Sequence, residues 1–337
     1  MSTYYQIFGG KVNAVSSDPA NPVKGQVWFN TTSAAMKYQS ATTAGAWAAG
    51  GNLPASLSFA GSAGTQTAAL LMQGLTLPPS PPHTTVATSV EYDGTSWTAG
   101  GTSATSRYRL AGSGTQTSAL AFGGLNSTAT ADLSTTEEYD GTSWTAGGSL
   151  GTARFDLGGA GTQTSALGFG GVKIGVPGVQ GVTEEYDGTS WTSGGNLGTA
   201  RTSLPGAGTQ TAGLAIGGTL VYSPQSPTTA TEEYDGTSWS GGGNLNTARQ
   251  LSGAAGTQTS ALAFGGLTTP GSTAATEAYN GTSWTNDTSL STARFALGGA
   301  GTQTSALGSG GYTTVSIVNT EEFTGAGAPV TKTVTAS

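Results

Sequence analysis

The chain has 337 residues, 56 of them glycine, with no cysteine, one histidine and only 9% charged residues. Its formal charge of −7 opposes binding to nucleic-acid backbones, which needs a basic footprint, and the missing cysteine excludes disulfides and thiolate chemistry. Glycine follows no G-X-Y period, which excludes collagen, and no apolar run approaches the roughly 18 residues of a spanning helix, so membrane insertion is not expected.

In chain order, residues 1–44 come first. The opening MSTYYQIFGGKV has neither the basic nor the apolar region of a signal peptide. Within DPANPVKGQVWFNTTSAAMKYQ (18–39) a β-hairpin is predicted from VWFN to MKYQ. Residues 45–337 are dominated by an internal repeat. The tetrapeptide GTQT begins at Gly64, Gly114, Gly161, Gly208, Gly256 and Gly301, at spacings of 50, 47, 47, 48 and 45. A tryptophan stands 17 residues before each, at Trp47, Trp97, Trp144, Trp191, Trp239 and Trp284. Two markers that keep one phase over the chain cannot be chance composition.

Residues 154–201 show one unit. FDLGGAG, TSALGFGG, TEEYDG and SWTSGG read as four short strands bounded by turn residues, none with a helical period. DGTS between the last two is a tight-hairpin signal. Four strands at this period predict an all-β fold, a six-bladed β-propeller of four-stranded blades. The last third strand, TEEFTG, has no tryptophan strand after it, and the first tryptophan strand, AWAAGG, has no blade before it. Joining the two closes a ring of six without open edges; the tail VTKTVTAS is the competing closing strand. Inner strands such as LGGAG permit close approach at the axis. Trp and Tyr fill the wider outer space, each contributing about 1.5–3 kcal/mol by burial.

Strand direction alternates, so the GTQT and DGTS turns share one nearly uniform face. Loops between the second and third strands lie on the other face and vary freely, as in LTLPPSPPHTTVATSV (75–90) and TLVYSPQSPTTA (219–230). Recognition is expected on this variable face, with His83, Lys173 and Tyr222 its most distinctive side chains; tolerated loop drift is the alternative. His83, alone in a Pro-rich loop, suits neither a catalytic triad nor a histidine metal site. The pairs Glu137/Glu138, Glu184/Glu185, Glu232/Glu233 and Glu321/Glu322 point to opposite faces of their strands and form no dyad. Arg107, Arg154, Arg201, Arg249 and Arg294 each precede a GTQT by seven residues, with Leu57 at the matching first position. They are expected to tie strands together through a Glu of the EEY strand or backbone carbonyls, with anion binding along the ring as the alternative. No catalytic residue, metal ligand or cofactor is expected.

The series Gly-Gly, Glu-Glu-Tyr-Asp-Gly, Trp, Thr-Ala-Arg, over roughly residues 45–325, resembles the kelch repeat. Its Gly/Thr-rich form is similar to the kelch-like repeats of bacteriophage virion and tail-fibre-type proteins, marine phages especially. Residues 18–39 resemble the short hairpin module of phage tail-fibre and appendage proteins. The resemblance implies a virion structural protein, a capsid or tail decoration or fibre, on the surface of the extracellular particle. It implies attachment to other virion proteins through residues 1–44 and adhesion to a host-surface glycan or receptor, and it leaves homo-oligomerisation open. A cellular kelch-type interaction scaffold is the alternative; its usual adaptor domain is missing here. A glycan-active propeller enzyme would need unrepeated carboxylates around the axis, and none stands out. DGTSW resembles the Asp-box of sialidases with one residue fewer, and that box is itself structural. Galactose-oxidase-like kelch enzymes need a Cys-linked Tyr and His copper ligands, which this composition excludes.

Overall fold

Each repeat becomes a sheet because its four extended segments are separated by glycine-bearing turns. In the third blade these are strand a (Gly158–Thr162), strand b (Ser165–Phe169), strand c (Thr183–Tyr186) and strand d (Trp191–Ser193), antiparallel throughout. The computed structural model describes all residues except 1–5, 8–9, 21–25, 42–43, 78–83, 127–130, 327–328 and 335–337. Among the described residues six such sheets recur and no helix occurs. Their strands a are Gly61–Thr65, Ala111–Thr115, Gly158–Thr162, Gly206–Thr209, Gly253–Thr257 and Gly298–Thr302. The sixth blade takes its strand d from early in the chain: Ala46–Ala49 lies beside Thr320–Thr324. The fold is a six-bladed β-propeller.

Apolar clusters lie between neighbouring blades rather than within them. One joins Leu214 and Ile216 of blade 4 to Tyr279 and Trp284 of blade 5; another joins Leu307 of blade 6 to Leu71, Tyr92 and Trp97 of blade 1. The repeat markers reinforce this with polar contacts that all run backward to the preceding blade. Each strand-d tryptophan donates its indole N–H to the Ser or Thr hydroxyl three residues before the strand-c aromatic of the previous blade, as in Trp191 to Thr136 (2.9 Å) and Trp144 to Ser89 (3.2 Å). The same bond crosses the closure from Trp97 to Thr320 (3.0 Å) and from Trp47 to Thr276 (3.1 Å). Each GTQT glutamine donates its amide to two carbonyls of the previous blade, as Gln163 does to Ala119 (3.0 Å) and Tyr139 (2.6 Å). Gln66 does so across the closure, to Ala306 and Phe323.

The doubled glutamates divide their work by strand face. The second, such as Glu138, accepts the hydroxyl of Tyr186 in the next blade (2.5 Å). That hydroxyl also accepts the amide of Gly148, where any Cβ would collide with the Thr189 carbonyl. The first glutamate meets the arginine of its own blade: Arg107–Glu137, Arg154–Glu184, Arg201–Glu232, Arg249–Glu277 and Arg294–Glu321, at 2.5–3.2 Å. Each arginine is fully buried and also donates to backbone carbonyls, as Arg201 does to Gly217 and Ala230. Burial pulls these guanidinium groups below their ordinary pKa, against the pull of the glutamates.

Two exceptions to the repeat remove whole interactions rather than single partners. In blade 1, Leu57 stands for the arginine and Val90 for the first glutamate, and the two pack in one apolar cluster. The carboxylate in the other five blades also accepts an amide three residues before the arginine, from Ala104, Gly151, Gly198, Asn246 or Ser291; in blade 1 that position is Pro54, which has no N–H. At the junction of blades 5 and 6, Phe323 lacks the hydroxyl and Ala278 lacks the carboxylate that would accept it. A buried group left without its partner costs far more than replacing both with apolar groups.

The ring is one compact unit, Trp47–Phe323; a second comprises Met1–Ala46 and Thr324–Ser337. The tail, expected in the propeller, therefore groups with the N-terminal segment, because Pro329–Thr333 pairs antiparallel with Ala35–Ala41. Val27–Asn30 and Ala35–Ala41 form the hairpin, with Trp28 opposite Lys37. Asp18 accepts from Trp28 (3.0 Å), Asn30 (2.7 Å) and Lys37 (2.7 Å). Those bonds, Lys37 first, hold its carboxyl at about 2.

Arg201→Leu alone strands Glu232 and is expected to cost about 3–5 kcal/mol. Adding Glu232→Val and Gly198→Pro installs the blade 1 arrangement and returns most of that stability, as denaturant unfolding of both variants will measure.

Candidate recognition site at the axial mouth

Two residues beyond each of the five arginines, and beyond Leu57 in blade 1, just before strand a, lie Arg109, Asp156, Ser203, Leu251, Ala296 and Phe59. All six adopt φ between 52° and 57°. In that conformation each N–H donates to the carbonyl of its counterpart in the preceding blade. Arg109 bonds Phe59, Asp156 bonds Arg109, and so on until Phe59 bonds Ala296, at 2.8–2.9 Å. These six bonds make a closed backbone ring around the axis. Left-handed backbone costs an L-residue about 1–2 kcal/mol, and glycine is the usual answer. None of the six is glycine, in a chain with 56 of them.

The ring sits at the start of strands a, opposite the GTQT turns, so it belongs to the variable face. With the adjoining residues it lines a cavity of about 160 Å³. One half of the mouth is polar. Arg109 donates to Asp156 at 2.5 Å, with the guanidinium side chain 22% exposed and the carboxylate 2%. Arg109 also donates to the Tyr222 hydroxyl at 3.2 Å and lies 4.7 Å over the Phe59 ring. Burial pushes the Asp156 carboxyl up, against the pull of Arg109, and likewise raises the Tyr222 hydroxyl. The other half of the mouth is Leu251, Ala296 and Phe59.

Beside the mouth, the b–c loops of blades 3 and 4 expose Ile174 (48%), Val176 (42%), Leu220 (39%), Val221 (44%) and Tyr222 (38%). Val176, Leu220, Val221 and Tyr222 share a second hollow of about 300 Å³. Tyr222 turns inward at its tip, edge-on to Phe155 at 5.7 Å. Of the sequence candidates, Tyr222 joins the cluster. Lys173 is half-buried on the blade 3 loop and lines neither hollow. His83 lies outside the described residues. The repeated tryptophans and arginines are not part of the site. Full burial removes the arginines from any anion-binding ring.

No unrepeated carboxylate is expected around the axis from the sequence; Asp156 is one. Its signal was the column two residues after the arginine, which reads Phe, Arg, Asp, Ser, Leu, Ala; the column before it, Ser58, Tyr108, Phe155, Thr202, Gln250 and Phe295, varies as well. Asp156 is the only carboxylate among the residues lining the axial cavity. The site therefore presents hydrogen-bonding groups without the carboxylate pair of most glycoside hydrolases. Among the described residues no cluster of His, Cys, Asp and Glu could hold a metal ion.

Arg109→Met is expected to cost about 3 kcal/mol at pH 7, since it leaves Asp156 buried without a counterion. A carboxyl whose folded-state pKa lies above its unfolded one loses stability as pH rises through the folded value. The penalty should therefore shrink toward pH 4, which thermal unfolding at the two pH values will show.

No protein-family model matches the chain, and no curated protein matches it.

Proposed function

We propose that this protein is a non-enzymatic bacteriophage virion protein, displayed on the capsid or tail, that recognises the host surface through the variable face of a kelch-like propeller. The observation that carries the recognition reading is the set of large apolar side chains exposed on two b–c loops, Ile174, Val176, Leu220, Val221 and Tyr222, of which Tyr222 reaches the unrepeated Arg109–Asp156 pair. Large side chains exposed together on rigidly held loops are a recurrent feature of binding surfaces. The opposite face offers little to read: its glutamines are engaged between blades, and its Asp-Gly-Thr-Ser turns are closed on themselves, as Asp187 is by the amides of Thr189 and Ser190. The virion reading is supported by the resemblance of the repeat and of residues 18–39 to phage proteins. Residues 1–44 then supply the contact with other virion proteins.

An antibody raised against the ring should label intact particles and block their adsorption to host cells. A variant with Ile174, Val176, Leu220 and Val221 changed to serine should keep its Tm. It should bind a panel of marine bacterial cells about tenfold more weakly, equivalent to roughly 1.4 kcal/mol. Unchanged cell binding would remove the recognition face, and unlabelled particles would remove the virion assignment.

A further inference from the structure

We infer that the axial mouth is a binding site for one neutral sugar ring, the terminal hexose or deoxyhexose of a surface glycan. This deepens the proposed function and rests on its reading of the variable face.

Four observations converge. The six mouth positions are equivalent by backbone, yet they carry six different side chains in a conformation that favours glycine. The hydrogen-bonded ring needs only their amides and carbonyls, so the side chains are free to serve another purpose. The cavity beneath is about 160 Å³, below the roughly 300–1,000 Å³ of drug-sized pockets, which suits a single ring rather than an oligosaccharide. Its walls are divided. Arg109, Ser203 and the nearby Tyr222 hydroxyl offer hydrogen bonds on one side, and Leu251, Ala296 and Phe59 offer apolar contact on the other. A pyranose has the same division, with hydroxyls around its edge and C–H groups on its faces.

Charge decides against acidic sugars. Asp156 already neutralises Arg109, so a ligand carboxylate would compete with an ion pair in place. A guanidinium has five N–H donors, however, and its bonds to Asp156 and Tyr222 both come from one nitrogen. Asp156, nearly inaccessible, is a positioning residue. It fixes Arg109 and cancels its charge, leaving donors suited to neutral hydroxyls.

The test is calorimetric titration and ligand-observed NMR of the full chain. The probes are methyl glucoside, galactoside, mannoside and rhamnoside, with sialyllactose as the charged control. At least one neutral glycoside should bind with a millimolar dissociation constant, and sialyllactose should not. Leu251→Trp and Ala296→Trp, each filling the mouth from its apolar side, should weaken that binding at least tenfold with Tm retained. Failure of all four glycosides, a preference for sialyllactose, or binding unaffected by both tryptophans would overturn the inference. Loop-dependent cell binding without glycoside binding would sink this site and leave the adhesion reading standing. Glycoside binding without cell binding would do the reverse.

Discussion

A blade of this protein cannot satisfy its own polar groups. Its tryptophan N–H, its tyrosine hydroxyl, its GTQT glutamine and the amide before strand a all find partners in the blade before it. An open row of blades would leave these four donors at one end to water and a cluster such as Leu71, Tyr92 and Trp97 half exposed. Bringing Ala46–Ala49 beside Thr320–Thr324 completes the ring, and the closing contacts repeat the others: Trp97 to Thr320, Gln66 to Phe323, Tyr92 to Glu322, Phe59 to Ala296. Burial of the apolar end face together with the recovered interblade bonds thus favours a closed circle of six.

This directionality explains what could be read in the sequence and what could not. Trp and GTQT repeat because each performs the same contact six times, and EEY because its tyrosine and its first glutamate each do so five times, so period, strand order and closure by Trp47 were open to inspection. Partners lie a full repeat away, and that was less visible. Nothing local in Gln163 says that it grips the carbonyls of Ala119 and Tyr139. The paired losses make the point in reverse. Pro54, Leu57 and Val90 look like drift when read singly, and only the geometry reveals them as one coordinated replacement of an ion pair. The grouping of the tail with the N-terminal segment carries no mark in the sequence, because its strand partner, Ala35–Ala41, lies outside the repeat.

The candidate site was half legible for the same reason. Tyr222 stood out because it lies in a loop where the repeat lapses. Arg109 and Asp156 are embedded in strongly patterned stretches, RYRLAGSG and RFDLGGAG, and read as ordinary members of the first strand. Their φ values of 57° and 52° take them out of strand geometry and turn them to the axis. A scaffold that fixes backbone through amides and carbonyls leaves that column of side chains uncommitted, so variation there can serve recognition without disturbing closure.

Native-state hydrogen exchange of the six mouth amides, Phe59, Arg109, Asp156, Ser203, Leu251 and Ala296, tests this most directly. If closure is the common constraint, all six should share one high protection that matches global unfolding. A gradient, with Phe59 and Ala296 beside the closing blade opening well before Asp156 and Ser203, would mean that blades hold themselves together and that the ring is merely their arrangement.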